Sequence, residues 1–277
     1  MTQIFTVLTF NKVVQVSDRR LTWPDGSLAD DHANKAVCVS CADGWFAISY
    51  TGAAQVGRSR TPTDEWLVEL LSSADAGSLV SADVIELIRS SADASSLNGR
   101  TSVIPTCFVA AGFVHVSEAR VTPLLWEVRN YDETGGRLAL RGFVTQYCRL
   151  KAGADPRTAL VITVAGSDFS VTKPIRHRLK KLVKQRFFQT EPVDAVSRKL
   201  VSLTRLAAST EAAADRVGRN CMAVSLEPTS QIFSAQYHPD GTDQMSYGPH
   251  FVQPGMAFKG LQIWGGDGPP PWLSPPN

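Results

Sequence analysis

The second residue of the chain carries a hydroxyl that removal of the first residue would place beside a free amine. Met1 is followed by Thr2, and a threonine side chain is small enough that we expect an aminopeptidase to remove the Met. An α-amine has a pKa of about 7.7–8.0, so a sizeable fraction is neutral near pH 7 and can accept the hydroxyl proton. Thr2 is therefore a candidate nucleophile that carries its own base.

The residues after Thr2 predict a β-hairpin with charged residues at its open end. Residues 2–10 are β-branched and apolar, Asn11 and Lys12 supply turn chemistry, and residues 13–17 resume a strand. Asp18 and Arg20 then follow at the end of the second strand, beside the start of the first. In an antiparallel pair, this is where Asp18 can reach Thr2.

This stretch, together with Asn34 and Lys35, resembles the N-terminal part of proteasome β-type subunits and their bacterial relatives, the N-terminal-threonine (Ntn) hydrolases. That family has an acidic residue sixteen positions after the threonine, and Asp18 occupies this position here. Arg20 matches the arginine two positions later, and Lys35 comes one residue later than the family's lysine. The loop 23–27, which contains Pro and Gly, can absorb that shift.

The resemblance implies a role for each of these residues. Thr2 would be the nucleophile through its hydroxyl and the base through its amine. A buried, protonated Lys35 would favour the neutral amine over the ammonium, and Asp18 would pair with Lys35 because an unpaired charge in a site is costly. Arg20 would support this arrangement from outside. Taken singly, each charged residue is better explained as an ordinary structural or surface residue than as a catalytic one.

Later parts of the chain match the family less closely. Ser167 resembles a serine that lies near the threonine amine, and Asp215 resembles the aspartate that precedes the penultimate strand. Three residues after that aspartate the family usually has a serine, where this chain has Gly218. The family's oxyanion donor is a backbone N–H, commonly of a glycine, and alignment through residues 49–52 predicts Ser49 for this role.

Hydrophobic patterns predict an alternation of strands and helices in the rest of the chain. The predicted strands are 35–40, 45–50, 106–114, 123–131, 160–165, 221–226 and 231–237, and the predicted helices begin near Thr63 and Ser81 and cover 174–188 and 193–214. This order fits two packed sheets between helix layers. The fold that the resemblance implies is of the α+β class, a four-layer αββα sandwich, here with a C-terminal extension.

We expect three segments: an Ntn-hydrolase-like domain over residues 1–237, an appended hairpin or flap over 238–264, and a Pro- and Gly-rich extended tail over 265–277. The 277 residues, 43% of them apolar, suffice for one large core. A basic helix around residues 173–186 has apolar residues at helical spacing, so its charges are expected on a solvated or subunit-contacting face.

Composition favours a cytoplasmic enzyme without a cofactor. The net charge of +2 gives no general attraction to nucleic acid or membrane, and neither a spanning helix nor a signal peptide is evident. Three of the five cysteines, Cys38, Cys107 and Cys221, fall in predicted strands, where buried free thiols are usual. Cys38 and Cys41 have no second pair to complete a zinc site, so we expect no metal.

Three functional hypotheses follow. The first is a peptidase-like N-terminal-threonine amidohydrolase that cleaves a peptide or other amide through an acyl-enzyme. The resemblance also implies that the chain assembles with itself, because the family builds rings from its subunits. The second is a proteasome-like structural or assembly subunit that does not catalyse, a hypothesis favoured by Gly218 and Ser49. The third is a basic binding module that uses the helix at 173–186 and binds nucleic acid in a salt-dependent way.

Overall fold

The predicted N-terminal hairpin lies at the centre of a five-stranded sheet. In this computed structural model, β1 (Gln3–Leu8) pairs with β2 (Val13–Asp18), and both strands are fully buried. The strand order of this smaller sheet is β12-β1-β2-β13-β14. The outer strands are β12 (Val161–Gly166), β13 (Cys221–Leu226) and β14 (Phe233–His238). The structure describes residues 2–23, 27–57, 59–95, 104–117, 120–131, 142–151, 153–166, 173–211, 213, 216–229, 233–241, 245–260 and 262–264.

A larger, seven-stranded sheet has the order β11-β10-β9-β6-β5-β16-β17. Its strands are β5 (Ala36–Cys41), β6 (Gly44–Thr51), β9 (Cys107–Ser117), β10 (Arg120–Arg129), β11 (Val144–Arg149), β16 (His250–Gln253) and β17 (Met256–Phe258). Short two-stranded sheets pair β3 (Leu21–Thr22) with β4 (Leu28–Asp30), β7 (Gln55–Val56) with β8 (Thr61–Pro62), and β15 (Met245–Tyr247) with β18 (Gln262–Trp264).

Five α-helices occur in the described residues: α1 (Thr63–Ser73), α2 (Ser81–Ala94), α3 (Lys173–Lys184), α4 (Phe187–Thr190) and α5 (Val193–Ala208). Apolar residues of α1 and α2, such as Leu67 and Ile88, share a core with the larger sheet. Apolar residues of α3 to α5, such as Ile175 and Leu200, share another with the smaller sheet. A third core joins the two sheets themselves. The described helices include none that is long and apolar enough to cross a membrane.

Most elements predicted from the sequence are confirmed, but the structure contains further strands that were not predicted individually, and two predicted helices are shorter. The structure adds β11, an exposed edge strand that has no buried face and therefore no apolar alternation to reveal it. The predicted helix 174–188 is interrupted at Arg186, whose φ is 54°. The predicted helix 193–214 ends at Ala208.

The C-terminal segment, by which we mean residues 245–264, contributes strands to the larger sheet. β16 pairs in parallel with β5, with His250 opposite Val37, and β17 adds the outermost strand. His250 also contacts the Asp64 carboxylate at 3.0 Å and accepts a hydrogen bond from the Gly260 N–H at 2.8 Å. This segment therefore covers the edge of β5, which lies next to Lys35. The tail predicted over 265–277 lies outside the described residues.

One glycine lies so close to the backbone of Thr2 that no side chain fits at its position. Gly166 is opposite Gln3 in the β1–β12 pair and has a φ of +117°, and a Cβ there would be 1.9 Å from the Thr2 carbonyl oxygen. Gly166→Ala should therefore destabilise the fold by about 1–3 kcal/mol through backbone strain alone, and by more because the carbonyl of Thr2 must move. Urea unfolding measures the loss.

Gly241→Ala is the matched control, because Gly241 has a φ of +92° and nothing within 4 Å of the added Cβ. This variant carries a similar backbone strain without the contact. An equal loss of stability in Gly166→Ala and Gly241→Ala would show that the position of Thr2 does not depend on Gly166.

Candidate functional site

The β1–β2 pair brings Asp18 to the start of the chain. Ile4 lies opposite Ser17, so Asp18 at the end of β2 is level with Gln3 at the start of β1, next to Thr2. The Asp18 carboxylate accepts a hydrogen bond from the backbone N–H of Gln3 at 2.6 Å. Thr2 and Asp18 are both buried. The hairpin geometry predicted from the sequence therefore places the carboxylate beside the candidate nucleophile.

Lys35 reaches the same point from the larger sheet. It immediately precedes β5, and its Nζ donates to Asp18 Oδ1 at 3.3 Å, with both side chains fully buried. The same Nζ lies in hydrogen-bond contact with Thr2 Oγ1 and with the carbonyl oxygen of Arg20. The three hydrogens of an ammonium match these three contacts. The structure therefore brings Thr2, Asp18 and Lys35 together.

Asp18 organises the backbone around Lys35. Besides the Gln3 N–H, it accepts hydrogen bonds at 3.0 Å from the N–H groups of Arg20 and Gly218. Three backbone donors and one ammonium therefore surround this carboxylate, which is the arrangement that a buried charge requires. Gly218 has no side-chain hydroxyl and contacts Asp18 through its backbone N–H.

Burial of Lys35 favours loss of its ammonium proton, whereas the neighbouring Asp18 carboxylate opposes that loss. Burial, the larger effect, lowers the pKa of Lys35 from its ordinary value of 10.5, whereas the charge and hydrogen bond of Asp18 raise it. As an ammonium, Lys35 would stabilise negative charge on Thr2 Oγ1. After losing one proton, it would keep two hydrogens for Asp18 and Arg20 and could no longer stabilise that charge.

Thr51 is a site residue that the sequence did not reveal. Its Oγ1 accepts a hydrogen bond from the Thr2 backbone nitrogen at 3.2 Å and donates to the Thr2 carbonyl oxygen at 2.9 Å. Thr51 is the last residue of β6 and is buried. Because side chains alternate along a strand, Thr51 shares a face with Ser49, two residues earlier. Had the alternation been followed from Ser49 to the end of the strand, it would have identified Thr51 as a candidate site residue.

The other predicted site residues lie farther out or outside the described residues. Arg20 binds Asp31 through two hydrogen bonds of 2.9 and 3.0 Å, so its side chain fixes the loop before Lys35. Ser49 lies within β6, between β5 and β9, and its hydroxyl donates to Gln15 at 2.6 Å. Ser167 and Asp215 fall outside the described residues.

The basic helix predicted at residues 173–186 has its charges exposed. In α3, Ile175 and Leu182 are buried against the smaller sheet, and the Lys and Arg side chains of the helix are exposed. The free cysteines Cys38, Cys107 and Cys221 are buried, as predicted. Among the described residues, no cluster of three or more His, Cys, Asp or Glu side chains could hold a metal ion.

Comparison with solved structures shows a proteasome-like fold. A Gly-1 mutant of Anbu from Hyphomicrobium sp. strain MC1 is similar with a TM-score of 0.51 and 12% identity, covering 86% of this chain and 87% of that chain. Anbu from Yersinia bercovieri, described as an ancestral β-subunit, has a TM-score of 0.49, 11% identity and coverages of 86% and 88%. Eukaryotic HslV from Trypanosoma brucei has a TM-score of 0.43 and 14% identity, and the match covers 81% of this chain and 99% of that chain. No family model and no curated protein matches the sequence.

The position of Lys35 predicts a large effect of its removal on reaction at Thr2. Lys35→Met should lower the rate at which p-nitrophenyl acetate acylates the protein by at least about 100-fold, the lower range for an acid–base participant. Lys35→Arg should restore little, because a planar guanidinium does not fit the contacts of a compact ammonium. The wild-type rate should fall with rising pH before pH 10.5, since the pKa of Lys35 is lowered.

Lys12→Met is the matched control for this prediction. Lys12 is another buried lysine whose pKa is lowered, chiefly by burial, and it binds the carbonyl oxygen of Glu191 at the far end of the hairpin. Circular dichroism and thermal unfolding show whether each variant folds. Folded Lys35→Met with acylation as fast as Lys12→Met would remove Lys35 from the chemistry.

Proposed function

We propose that this protein is an N-terminal-threonine amidohydrolase, peptidase-like, whose nucleophile is Thr2 after removal of Met1. The observation that carries the proposal is the contact of one buried ammonium, that of Lys35, with both the Thr2 hydroxyl and the Asp18 carboxylate. The hydroxyl of Thr2, the residue before β1, is thus held against a buried positive charge that can stabilise its oxygen during reaction. The proteasome-like fold is consistent with this function but does not carry the proposal.

The proposed reaction proceeds in two stages. The α-amine of Thr2 takes the proton from Oγ1 as this oxygen attacks the carbonyl carbon of the amide. The C–N bond then breaks, the departing amine receives the proton, and the acyl group remains as an ester on Thr2. A water molecule, deprotonated by the same amine, attacks the ester carbonyl carbon. The bond between that carbon and Oγ1 then breaks, Oγ1 regains the proton from the amine, and the acid leaves. Lys35 stabilises negative charge on Oγ1 throughout, and Asp18 holds Lys35.

Thr51 and the end of β6 complete the proposed site. The Thr51 hydroxyl contacts both the nitrogen and the carbonyl oxygen of Thr2, so it would orient the amine toward Oγ1. For the oxyanion we propose a backbone N–H at this end of β6. Ser49 is the donor predicted from the sequence, and Thr51 is the nearer candidate because it contacts Thr2. Ser167, which resembles the family's serine near the threonine amine, and Asp215 stay predictions from the sequence, since both lie outside the described residues.

The three hydrophobic cores support a finer description of the fold. One core joins α1 and α2 to the larger sheet, one joins the sheets, and one joins α3 to α5 to the smaller sheet. We propose that these are the three interfaces of a four-layer αββα sandwich of the Ntn-hydrolase type. In such an arrangement the site lies where the starts of β1 and β5 meet the ends of β2 and β6.

Mass spectrometry and acylation test the nucleophile. We expect protein purified from its host to lack Met1, and p-nitrophenyl acetate to acylate Thr2, as located by peptide mapping. Thr2→Ala should abolish the adduct, because the alanine side chain has no nucleophilic oxygen. Thr9→Ala should react as the wild type does, since Thr9 is another buried threonine but lies in the β1–β2 turn.

Two outcomes would contradict this function. The first is a protein that retains Met1 and hydrolyses amides as fast as the processed chain, because such a protein would not use the free amine of Thr2 as its base. A processed protein that is folded but forms no adduct on Thr2 corresponds to the alternative, a proteasome-like structural or assembly subunit without catalysis. Fluorogenic peptide amides, offered to both forms of the chain, separate hydrolysis from acylation alone.

We also propose that the protein assembles with itself. The outer strands β11 and β12 end their sheets side by side, and the cleft between them, of about 320 Å³, is lined by residues that include Leu125, Ile162 and Val164. Tyr147 on β11 is 56% exposed. Exposed edge strands with apolar side chains are surfaces that proteins usually cover, and a second copy of this chain is the partner we propose.

Light scattering at micromolar concentration tests self-assembly. The wild type should have a mass of at least twice the 30.0 kDa of one chain. Tyr147→Lys should lower the measured mass because it places a charge in an apolar contact. Met256→Lys changes a comparably exposed side chain on β17 and should not reduce it. A monomeric wild type at every concentration would refute assembly and leave the chemistry of Thr2 untouched.

A further inference from the structure

Arg19 lies between two site residues in the chain and is completely buried. It is the largest fully buried side chain in the described residues. Its guanidinium donates to the carbonyl oxygen of His32, from Nε at 3.1 Å and also from Nη2, and to the carbonyl oxygen of Tyr247 from Nη1 at 2.9 Å. Its Cζ is 5.7 Å from the centre of the Tyr237 ring. A buried arginine is costly, so these contacts indicate a specific role.

The contacts of Arg19 converge on the loop that delivers Lys35. His32 belongs to the four residues between β4 and Lys35, and the N–H of Ala33 donates to the Arg19 carbonyl oxygen at 3.0 Å. Arg19 thus holds this loop by both its backbone and its side chain. Arg20 holds the preceding residue, Asp31, through a bidentate ion pair. The position of Lys35 Nζ therefore depends on two consecutive arginines.

The C-terminal segment holds the same loop from the other side. The Tyr247 carbonyl oxygen accepts from Arg19, and the Gly248 carbonyl oxygen accepts from the Asn34 side-chain nitrogen at 3.1 Å. Asn34 directly precedes Lys35, and its Oδ1 accepts from the Ala36 N–H at 3.3 Å. Two consecutive carbonyl groups of the segment, those of Tyr247 and Gly248, thus bind Arg19 and Asn34.

We propose, on the basis of the proposed function, that Arg19 and Asn34 are positioning residues that connect the C-terminal segment to Lys35, so that this segment is a working part of the Thr2 site. Arg19 fixes the loop by binding His32 and Tyr247 together. Asn34 fixes the residue next to Lys35 by binding Gly248. A chain in which the segment is displaced would keep Thr2 and Asp18 together, since β1 and β2 hold them, but would lose the alignment of Lys35.

The charge of Arg19 adds an effect that packing alone does not have. Burial chiefly lowers the pKa of Lys35; Asp18 and Asp31 raise it, and the nearby charge of Arg19 lowers it further. Burial also lowers the pKa of Arg19 itself, to about 10. Removing the Arg19 charge should raise the pKa of Lys35. The alkaline fall of the acylation rate should then move to higher pH.

The test compares Arg19→Met with Arg129→Met. Arg129 is a mostly buried arginine that binds Glu127 and Gln146 at the opposite edge of the larger sheet. Arg19→Met should slow acylation of Thr2 by p-nitrophenyl acetate by at least about tenfold, the lower range for a supporting residue, and should move the alkaline fall upward. Arg19→Lys keeps the charge and should leave the alkaline fall near that of the wild type. Arg129→Met should change neither.

Hydrogen exchange provides a readout that does not require activity. Amides in the peptide covering residues 31–36, Ala33 among them, should exchange faster in Arg19→Met and in Asn34→Ala than in the wild type or Arg129→Met. Asn34→Ala also serves if Arg19→Met fails to fold, because it removes the second link to the C-terminal segment.

The outcomes separate this inference from the proposed function. A wild type that forms no adduct on Thr2 overturns the proposed function, and exchange in residues 31–36 still decides whether Arg19 and Asn34 position the loop. Unchanged exchange in both variants overturns the inference. So does a folded, active Arg19→Met whose acylation rate and alkaline fall match those of Arg129→Met.

Discussion

The buried contact between Lys35 and Asp18 is the constraint on which the rest of the site depends. Two charges removed from water are stable only if each finds enough hydrogen-bond partners. Asp18 finds three backbone N–H groups besides Lys35, and Lys35 finds the Thr2 hydroxyl and the Arg20 carbonyl. These partners come from the start of β1, the end of β2 and the residues before β13. None of these elements can shift without leaving a buried charge short of a partner.

The packing of the two sheets determines which of their residues can meet. Thr2 precedes β1 of the smaller sheet. Thr51 is the last residue of β6 and Lys35 directly precedes β5, and both of these strands belong to the larger sheet. The core between the sheets contains small residues, among them Ala36 and Ala47, beside larger ones. Where the core ends, polar side chains replace apolar ones, and Thr51 contacts Thr2 across the gap. The site is thus the polar end of an apolar interface.

How much the sequence predicted depended on how local the determining contacts are. The hairpin and the approach of Asp18 to Thr2 followed from alternation and antiparallel geometry over less than twenty residues. Lys35 could be assigned only through the family resemblance, because its contact with Thr2 requires two sheets to pack. The contact of Thr51 and the parallel pairing of β16 with β5 were missed for the same reason: the partners are distant in the chain. β11 was missed because both of its faces are exposed.

Under the proposed function, the enclosure of the site would link activation of Thr2 to substrate access. Thr2 is only 2% exposed, and the same burial that lowers the pKa of Lys35 also excludes water and substrate from Oγ1. Met1 is bonded to the Thr2 nitrogen, so under the proposed function its removal makes this nitrogen a free amine that can act as the base. One cleavage would then supply the base and leave Lys35 held by Asp18. The proposed chemistry would therefore belong to the processed chain.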